Sequence, residues 1–433
     1  VTKQMTKTSY ANEPDKFTTT QFVYDSQNRV KYADSDGITQ YFYDANGNVT
    51  SMITGLLSPV ESAQNAPESA LVTNYGYDKL GQLISLTDSN GKTEYNTYDN
   101  FGNILLKTDK NGNKINYSYN ANSVLSKRAK DEAVSYKYNS FGLISQMHDK
   151  TGITNYEYDQ NGLLTKEERN GNIKLYTYDA NGNRTGFTYK IGGADKMNVS
   201  YTYDSLNRLS SVTSNGETTS YTYDANGNLL SSTGAVSVNY AYNKANLPIS
   251  QTDLSLGVTY TSSYDLGGNR RVLGETGKPD ITYSYDDYGK LLSEDASSYV
   301  INYEYDNRQN RTKMSKTQQG ITDVTQYTYG KNNELLRKYR YSDNVEHVTD
   351  YTYDANGNQT EVNYFTLTDI GDEESEEGET DISAGANDYT YFYEYDSFNR
   401  LKKSSGKGYV TTYAYDGNNL RQSKTSNGVT TNH

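Results

Sequence analysis

Apolar and polar positions alternate in short bursts along this chain and never settle into a helical period. In the stretch YTYDSLNRLSSVTSNGETTS, residues 201–220, Tyr201 and Tyr203 stand two apart with Thr202 between them. Successive side chains of an extended strand point to opposite faces, so the two rings share one face and the threonine takes the other. Asp204 follows the pair, Asn207 comes three residues later, and a second short run carries Leu209. A second turn, Asn215-Gly216, closes the stretch. Two short alternating runs separated by turn residues predict a β-hairpin. With no apolar pattern of period 3.6, no helical layer is expected to cover it.

The hairpin recurs. The octapeptide YTYDANGN stands three times: as Tyr176, Tyr178, Asp179 and Gly182 with their neighbours, again around Tyr221, Tyr223, Asp224 and Gly227, and again around Tyr351, Tyr353, Asp354 and Gly357. Aligned on the tyrosine ahead of the aspartate-type position, the chain contains 18 units, from Tyr24 to Tyr415, mostly 19 to 25 residues apart. A period this short and persistent marks a repeat fold. The second strand of each unit supplies aliphatic residues, as at Leu229 and Leu230, Leu291 and Leu292, or Leu335 and Leu336. Second turns such as Asn90-Gly91, Asn111-Gly112 and Asn170-Gly171 then lead into the next unit.

Three residues after the aspartate-type position, 16 of the 18 units carry Gly or Asn, with Ser123 and Gln309 the exceptions. These residue types tolerate the left-handed backbone region. The position just before varies from Asn181 to Leu80, Leu206, Phe398 and Tyr288. A type I′ turn would force positive φ on those bulky residues as well, so a type I turn followed by a left-handed bulge residue fits better. The Asp carboxylate is then expected to accept the backbone N–H two residues on and hold the turn closed. Asn120, Asn139 and Asn243 can do the same; Gly330 cannot, so the turn after Tyr329 is expected to be looser.

Eighteen units imply about 36 strands, and at about 4.8 Å per strand a flat ribbon would run roughly 170 Å. Twist accumulates, and open sheets beyond about ten strands curl or split. The expected architecture is therefore all-β: serial antiparallel hairpins in one curled or spiral sheet spanning residues 1–433, enclosing space instead of packing into a sandwich. Insertions at about 53–70 and 366–388 break the rhythm and are expected to project from turns; the second is acidic.

Composition supports this picture. Leu, Ile, Val and Phe together supply only about a sixth of the chain, which on the compositional rule alone would suggest disorder. The 46 tyrosines answer that, because a ring buries apolar area while its hydroxyl finds a polar partner. The net charge of −13 argues against nucleic acid, which needs clustered Lys and Arg. No stretch is long and apolar enough for a spanning helix, and the opening residues VTKQMTKTSY lack the run of a signal peptide, so any export signal is expected upstream. The absence of cysteine removes disulfides, thiol catalysis and cysteinyl metal sites.

Candidate chemistry is sparse. His148, His347 and His433 stand isolated in polar context and read as surface residues. Asp44, Asn46 and Asn48 alternate oxygen ligands as in a calcium loop, but the glycine stands at the fourth position and no glutamate follows at the twelfth. The turn role accounts for the aspartate without a metal, and no cofactor is expected. Neighbouring carboxylates such as Asp131 with Glu132, or Glu167 with Glu168, point to opposite faces of a strand and read as solvated charge, not as a glycosidase pair. The tyrosine rows admit two readings: rings packing across strands, or platforms for stacking sugar faces. Because tyrosine tracks the structural period, the packing reading is preferred.

Tyr-x-Tyr-Asp-x-x-Gly-Asn/Arg-Leu at about 20-residue spacing resembles the YD repeat of the Rhs, teneurin and insecticidal toxin-complex proteins over nearly the whole chain. Residues 216–229 alone supply Gly216, Tyr221, Tyr223, Asp224, Gly227 and Leu229 in that register. The NGN octapeptides look most like wall-associated Rhs-type proteins of Gram-positive bacteria. The resemblance implies a non-enzymatic hollow β-shell from a secreted or cell-wall-associated polymorphic toxin, encapsulating or presenting a C-terminal effector segment of the same precursor in intercellular competition. The Asp-Pro-x-Gly core segment and cleavage site of Rhs proteins do not occur in the sequence, which reaches KTSNGVTTNH within another turn unit. Self-cleavage and a cytotoxic domain are therefore not assigned. The alternative is a cell-surface adhesion module with a glycan as partner.

Overall fold

The computed structural model describes residues 2–7, 17–120, 124–342, 345–368 and 388–432. Among them are 38 strands in one sheet, each paired antiparallel with its neighbours in sequence, and a single 3-10 turn at Ala63–Asn65. The hairpin expected at 201–220 is present: the tyrosines end the strand Ala194–Tyr203, which pairs with Leu209–Ser214, and through the next turn Leu209–Ser214 pairs with Glu217–Tyr223. Tyr201 and Tyr203 are half-buried and Thr202 is exposed, as strand alternation requires.

The sheet is a wall with little interior. Ten hydrophobic residues are buried among those described, and one cluster gathers four of them: Ile38, Ile53, Leu56 and Ala70. The accessible surface is 26301 Å². A compact monomer of 48.6 kDa would expose about 17,000 Å² by the usual size scaling, so neither face of most strands is covered by another layer.

The region around 53–70 does not project. Its first residues complete the strand Val49–Leu56, in which Ile53 and Leu56 are fully buried. The remainder folds back: the Gln40 side chain donates to the Val60 carbonyl and accepts from the Val60 N–H, each at 2.8 Å, while Ala63 and Ala66 pack on the cluster. Apolar residues within the insertion explain the difference, since Val60, Ala63 and Ala66 cover the buried Ile38, Ile53 and Leu56. The second insertion, 366–388, lies almost entirely outside the described residues; the strands Gln359–Thr368 and Tyr389–Tyr395 flank it.

Between residues 243 and 290 positions apart the ribbon meets itself. Lys331 pairs with Glu68 at 3.0 Å, Ser89 with Asn332, Lys110 with Asn356 and Lys127 with Gly417. The contacts advance together along both partners, so one coil takes roughly twelve or thirteen hairpins. At about 4.8 Å per strand that is about 120 Å of wall, the circumference of a cylinder roughly 38 Å across. The coils touch edge to edge through turns; no strand pairing closes the sheet among the described residues.

Candidate functional site: the turn edge and its seam

Each Tyr-Asp turn is a small hydrogen-bonded device. In the octapeptide at 176–183, the Gly182 N–H donates to the Asp179 carbonyl at 3.1 Å and the Asp179 N–H to the Asn183 carbonyl at 2.9 Å. The strand register shifts between Thr177 and Tyr178, the mark of a bulge. Gly182 has φ of 84° and Asn207, its counterpart in the next unit, 60°. All 17 described residues at this position are left-handed, including Gln309 at 66°, while none of the bulky residues before them is. The type I turn with a left-handed bulge is therefore the general solution.

The Asp179 carboxylate does more than the sequence suggested. One oxygen accepts the N–H groups of both Asn181 and Asn183 at 2.9 Å, and the other accepts the Asn183 side-chain amide at 3.0 Å. Asp224 and Asp354 repeat this with Asn228 and Asn358, and Asp204 does so with the Arg208 guanidinium. The Asn183 side-chain amide, with the turn N–H groups of Asn183, Asn181 and Gly182 adding to it, holds the Asp179 carboxyl below its ordinary range against the desolvation that opposes them. The Asn or Arg after the bulge also links units. Asn183 donates to Asn207 Oδ1 at 2.9 Å, and Arg208 to the Asp224 carbonyl at 2.9 Å. This role was missed, although the Asn/Arg alternation was visible in the repeat.

The turn after Tyr329 is not left open by Gly330. Glu334 swings its carboxylate in from four residues on and accepts the Asn332 N–H at 2.8 Å, replacing the missing aspartate. Ser123, the other residue that departs from Gly or Asn at the left-handed position, lies outside the described residues.

The tyrosines couple one unit to the one before it. The Tyr178 hydroxyl donates to the Leu164 carbonyl at 2.8 Å, and Leu164 is the register partner of Tyr158 in the preceding unit. Tyr203 reaches Arg184, Tyr223 reaches Leu209 and Tyr353 reaches Leu335 in the same way, at 2.8 to 3.0 Å. Sixteen of these tyrosines do so. The paired tyrosine two residues earlier contributes its ring: Tyr176 stands 5.5 Å from Phe187, and Tyr201 lies 5.0 Å under the Arg184 guanidinium. Tyr221 and Tyr351 occupy the same half-buried face.

The seam between coils gathers several buried polar groups, among them Asp88, Asp149, Arg400 and Asp416. Asn111 and Asn356 clasp opposing turns: Asn111 Nδ2 donates to Asp354 at 2.9 Å, Asn356 Nδ2 donates to Asp109 at 2.8 Å, and each side-chain oxygen accepts a backbone N–H from the other turn. Further on, the buried Asp149 carboxylate accepts the Gly417 N–H at 2.8 Å and pairs with Arg169 at 2.7 Å. Burial pushes Asp149 upwards, but the donors from Arg169, Thr151 and Gly417 outweigh it and hold the carboxyl below its ordinary range. Burial raises Tyr136 and Tyr156 to about 12; the Tyr136 hydroxyl donates to the Gly417 carbonyl at 3.5 Å and the Tyr156 hydroxyl accepts from Asn418 Nδ2 at 3.2 Å. A Cβ on Gly417 would stand 2.5 Å from Val134 and 2.7 Å from Met147.

The other candidates fall into place around this frame. Asn46 and Asn48 turn their N–H groups onto Asp44, which makes the alternation a turn and not an array of ligands aimed outward. Glu167 pairs with Lys174 and Glu168 with Lys166. Asp131 is exposed and accepts from Ser397, whereas Glu132 is not a solvated charge: its side chain, 9% exposed, pairs with Arg400 across the seam. Their partners lie some 265 residues away in sequence, beyond the reach of local reading. His148 and His347 are exposed on their strands. No described helix is long and apolar enough to cross a membrane.

Comparison with known proteins adds a family and a fold. The family model described as teneurin YD-shell matches residues 2–193 and 185–372. No curated protein sequence matches. Among solved structures, the crystal structure of TcdB2-TccC3 without its hypervariable C-terminal region is similar with a TM-score of 0.57 at 14% identity, covering 97% of this chain and 27% of that one. TcdB2-TccC3-TEV gives 0.56 at 14% identity, with 98% and 27% covered. The Photorhabdus luminescens Tc holotoxin pore gives 0.52 at 13% identity, with 97% and 30% covered. The chain thus spans under a third of the length of these relatives in fold.

Proposed function

Because the chain belongs to the teneurin YD-shell family, a family of structural shells, we propose that it forms one stretch of a container wall that encloses a polypeptide effector of its own precursor. The observation that carries this reading is the seam. A ribbon whose opposite edges meet turn against turn after about twelve hairpins makes a barrier, whereas a straight ribbon would not. A diameter of roughly 38 Å between sheet midlines, less about 5 Å of side chains on each inner wall, gives a lumen of about 28 Å. That width suits an unfolded or partly folded chain better than a 100-residue globule, whose radius of gyration is about 13 Å.

On this reading the protein is wall and not catalyst, the precursor is exported, and the enclosed effector acts in competition between cells, with wall association of the Gram-positive type. The similarity in fold to toxin-complex structures supports the enclosure; the tyrosine hydroxyls, already committed to carbonyls of the preceding unit, weigh against a sugar-binding platform. The test is protease protection. In the natural precursor, an effector segment downstream should resist protease until the seam is opened by substitution at Gly417. Digestion at equal rates with the seam intact and disrupted would defeat the proposal.

A further inference from the structure

Asn111 and Asn356 belong to turns of the same sequence and the same shape. Asp-x-Asn-Gly-Asn stands five times in the chain, at Asp44, Asp109, Asp179, Asp224 and Asp354. Four of these close Tyr-Asp hairpins, whereas Asp109 opens a second turn. That second turn copies the Tyr-Asp geometry: the Gly112 N–H donates to the Asp109 carbonyl at 2.9 Å with φ of 81° at Gly112, against 3.1 Å and 83° for Gly357 on Asp354. Across the seam it faces the turn at Asp354, so two copies of one motif meet.

Their four bonds fall into two equivalent pairs. Each Asn amide donates to the aspartate of the other turn, at 2.9 and 2.8 Å. Each Asn oxygen accepts the N–H of the residue after that aspartate, Ala355 at 2.9 Å and Lys110 at 3.0 Å. Exchanging the two turns leaves the pattern unchanged, the mark of an isologous contact. The amide is also held from its own side. Asn356 Nδ2 donates laterally to Asn399 Oδ1 at 3.2 Å, and Asn181 and Asn226 in the identical octapeptides donate to Asn207 and Asn246 at 3.0 and 3.2 Å. The side chain is thus oriented with or without a partner turn, which lowers the cost of clasping.

The turn itself needs no asparagine there. Leu80, Ala245 and Arg308 take the position and keep the N–H bond to the residue that opens the turn. A partial copy of the motif gives a partial clasp. The turn Asp88-Ser89-Asn90-Gly91 meets the one at Gly330, where Glu334 replaces the aspartate. Asn90 Nδ2 donates to Glu334 at 2.7 Å and the Ser89 N–H to Asn332 Oδ1 at 3.1 Å. Among the described residues the two return bonds are missing, and the Asp88 oxygen equivalent to the one that accepts on Asp109 is taken by Lys110 Nζ at 2.6 Å.

We infer that Asp-x-Asn-Gly-Asn is a self-complementary recognition turn whose partner is a second Asp-x-Asn-Gly-Asn turn, and that the pair at Asp109 and Asp354 sets which hairpins of successive coils face each other. Polar pairs satisfied in one alignment fix register in this way. A slip by one hairpin would bring against Asp109 either Phe398, which has no amide, or the turn at Gly330, which makes only two of the four bonds where it does dock. The inference does not depend on whether the wall encloses an effector.

Hydrogen exchange of the full chain at the Lys110 and Ala355 N–H groups tests it, since both donate across the seam. Asn356→Asp sets a carboxylate against Asp109 and should raise both rates roughly tenfold or more. Asn226→Asp makes the same change in the same octapeptide outside the seam and should leave both rates unchanged. Asn356→Asp combined with Asp109→Asn reverses donor and acceptor and should return the rates to within about twofold of the parent. Asn139 and Asn243 show that asparagine can open a turn of this kind. Parental rates in Asn356→Asp, an equal rise from Asn226→Asp, or a double variant no slower than the single one would each overturn the inference.

Discussion

The Tyr178 hydroxyl and the Leu164 carbonyl meet at 2.8 Å across the boundary between two repeats. The bond joins a side chain of one hairpin to the backbone of the hairpin before it, at the point where the bulge disrupts the ladder and leaves a carbonyl in need of a donor. It explains why this tyrosine recurs and why phenylalanine does not replace it at the repeat position.

Tyr178→Phe keeps the ring and removes the donor. It should cost about 1 kcal/mol, the usual net worth of such a bond. In a repeat array a lesion of that size acts locally. Hydrogen exchange should therefore accelerate in the strands Leu164–Arg169 and Asn172–Tyr178 and stay unchanged in hairpins several units away. Uniform acceleration along the chain would show that the hydroxyl does not work as a local link.

Asp179→Asn, which keeps an acceptor for the two turn N–H groups but loses the one for the Asn183 side-chain amide, should lower the melting temperature less than Asp179→Ala does. The chain contains the control: Asn139 accepts the N–H groups of Phe141 and Leu143 at 3.0 Å in the place an aspartate takes elsewhere. Alanine leaves two turn N–H groups without that acceptor. Equal losses in the two variants would show that charge, not acceptance, closes the turn.

Acid should loosen the turn edge. The neighbouring Asn amide is the leading cause that holds Asp44, Asp99, Asp179 and Asp224 below the ordinary aspartate range, with turn N–H groups adding to it. A folded-state value below the unfolded one contributes stability that is present above the unfolded value and lost as pH falls through the folded one. Thermal unfolding should thus be flat from neutral pH down to the ordinary aspartate range and decline below it. A decline centred near pH 6 would point to histidine instead.

The strands, the meander, the bulged turn and the role of the aspartate were all legible in the sequence, because each rests on residues within about 25 positions and repeats often enough to average out exceptions. Two things were not. The Glu334 carboxylate in the Gly330 turn substitutes from an unexpected position, so the missing aspartate alone suggested a looser turn. The seam leaves no periodic mark: Asn356 and Asn181 sit in identical octapeptides, and only the curvature of the wall, summed over a dozen hairpins, brings one against another coil and leaves the other exposed.

Gln309→Gly should stabilise the chain. Gln309 is exposed and holds φ at 66°, a region that costs an ordinary residue roughly 1–2 kcal/mol. Glycine removes that strain and returns about 0.5–1 kcal/mol as entropy of the unfolded chain. A net gain of about 0.5–1 kcal/mol should appear in chemical denaturation. A net loss would mean that the glutamine side chain makes a contact worth more than its backbone strain.

Gly417→Val addresses the seam itself. Gly417 is buried with its N–H on Asp149 and its carbonyl accepting from Lys127 at 2.9 Å, and the space above its Cα is already occupied by Val134 and Met147. Met147 is 1% exposed and Val134 2%, so neither has room to retreat. Overpacking of this kind costs about 1–3 kcal/mol, and the strain can be relieved by separating the coils because no ladder of strand hydrogen bonds holds them together there. The variant should keep its strand content by circular dichroism while small-angle scattering reports a larger radius of gyration and exchange rises at Asp149 and Thr151. Retention of the parental radius would show that the buried ion pair of Glu132 with Arg400 and the Ser397–Asp131 hydrogen bond hold the coils together without the glycine contact.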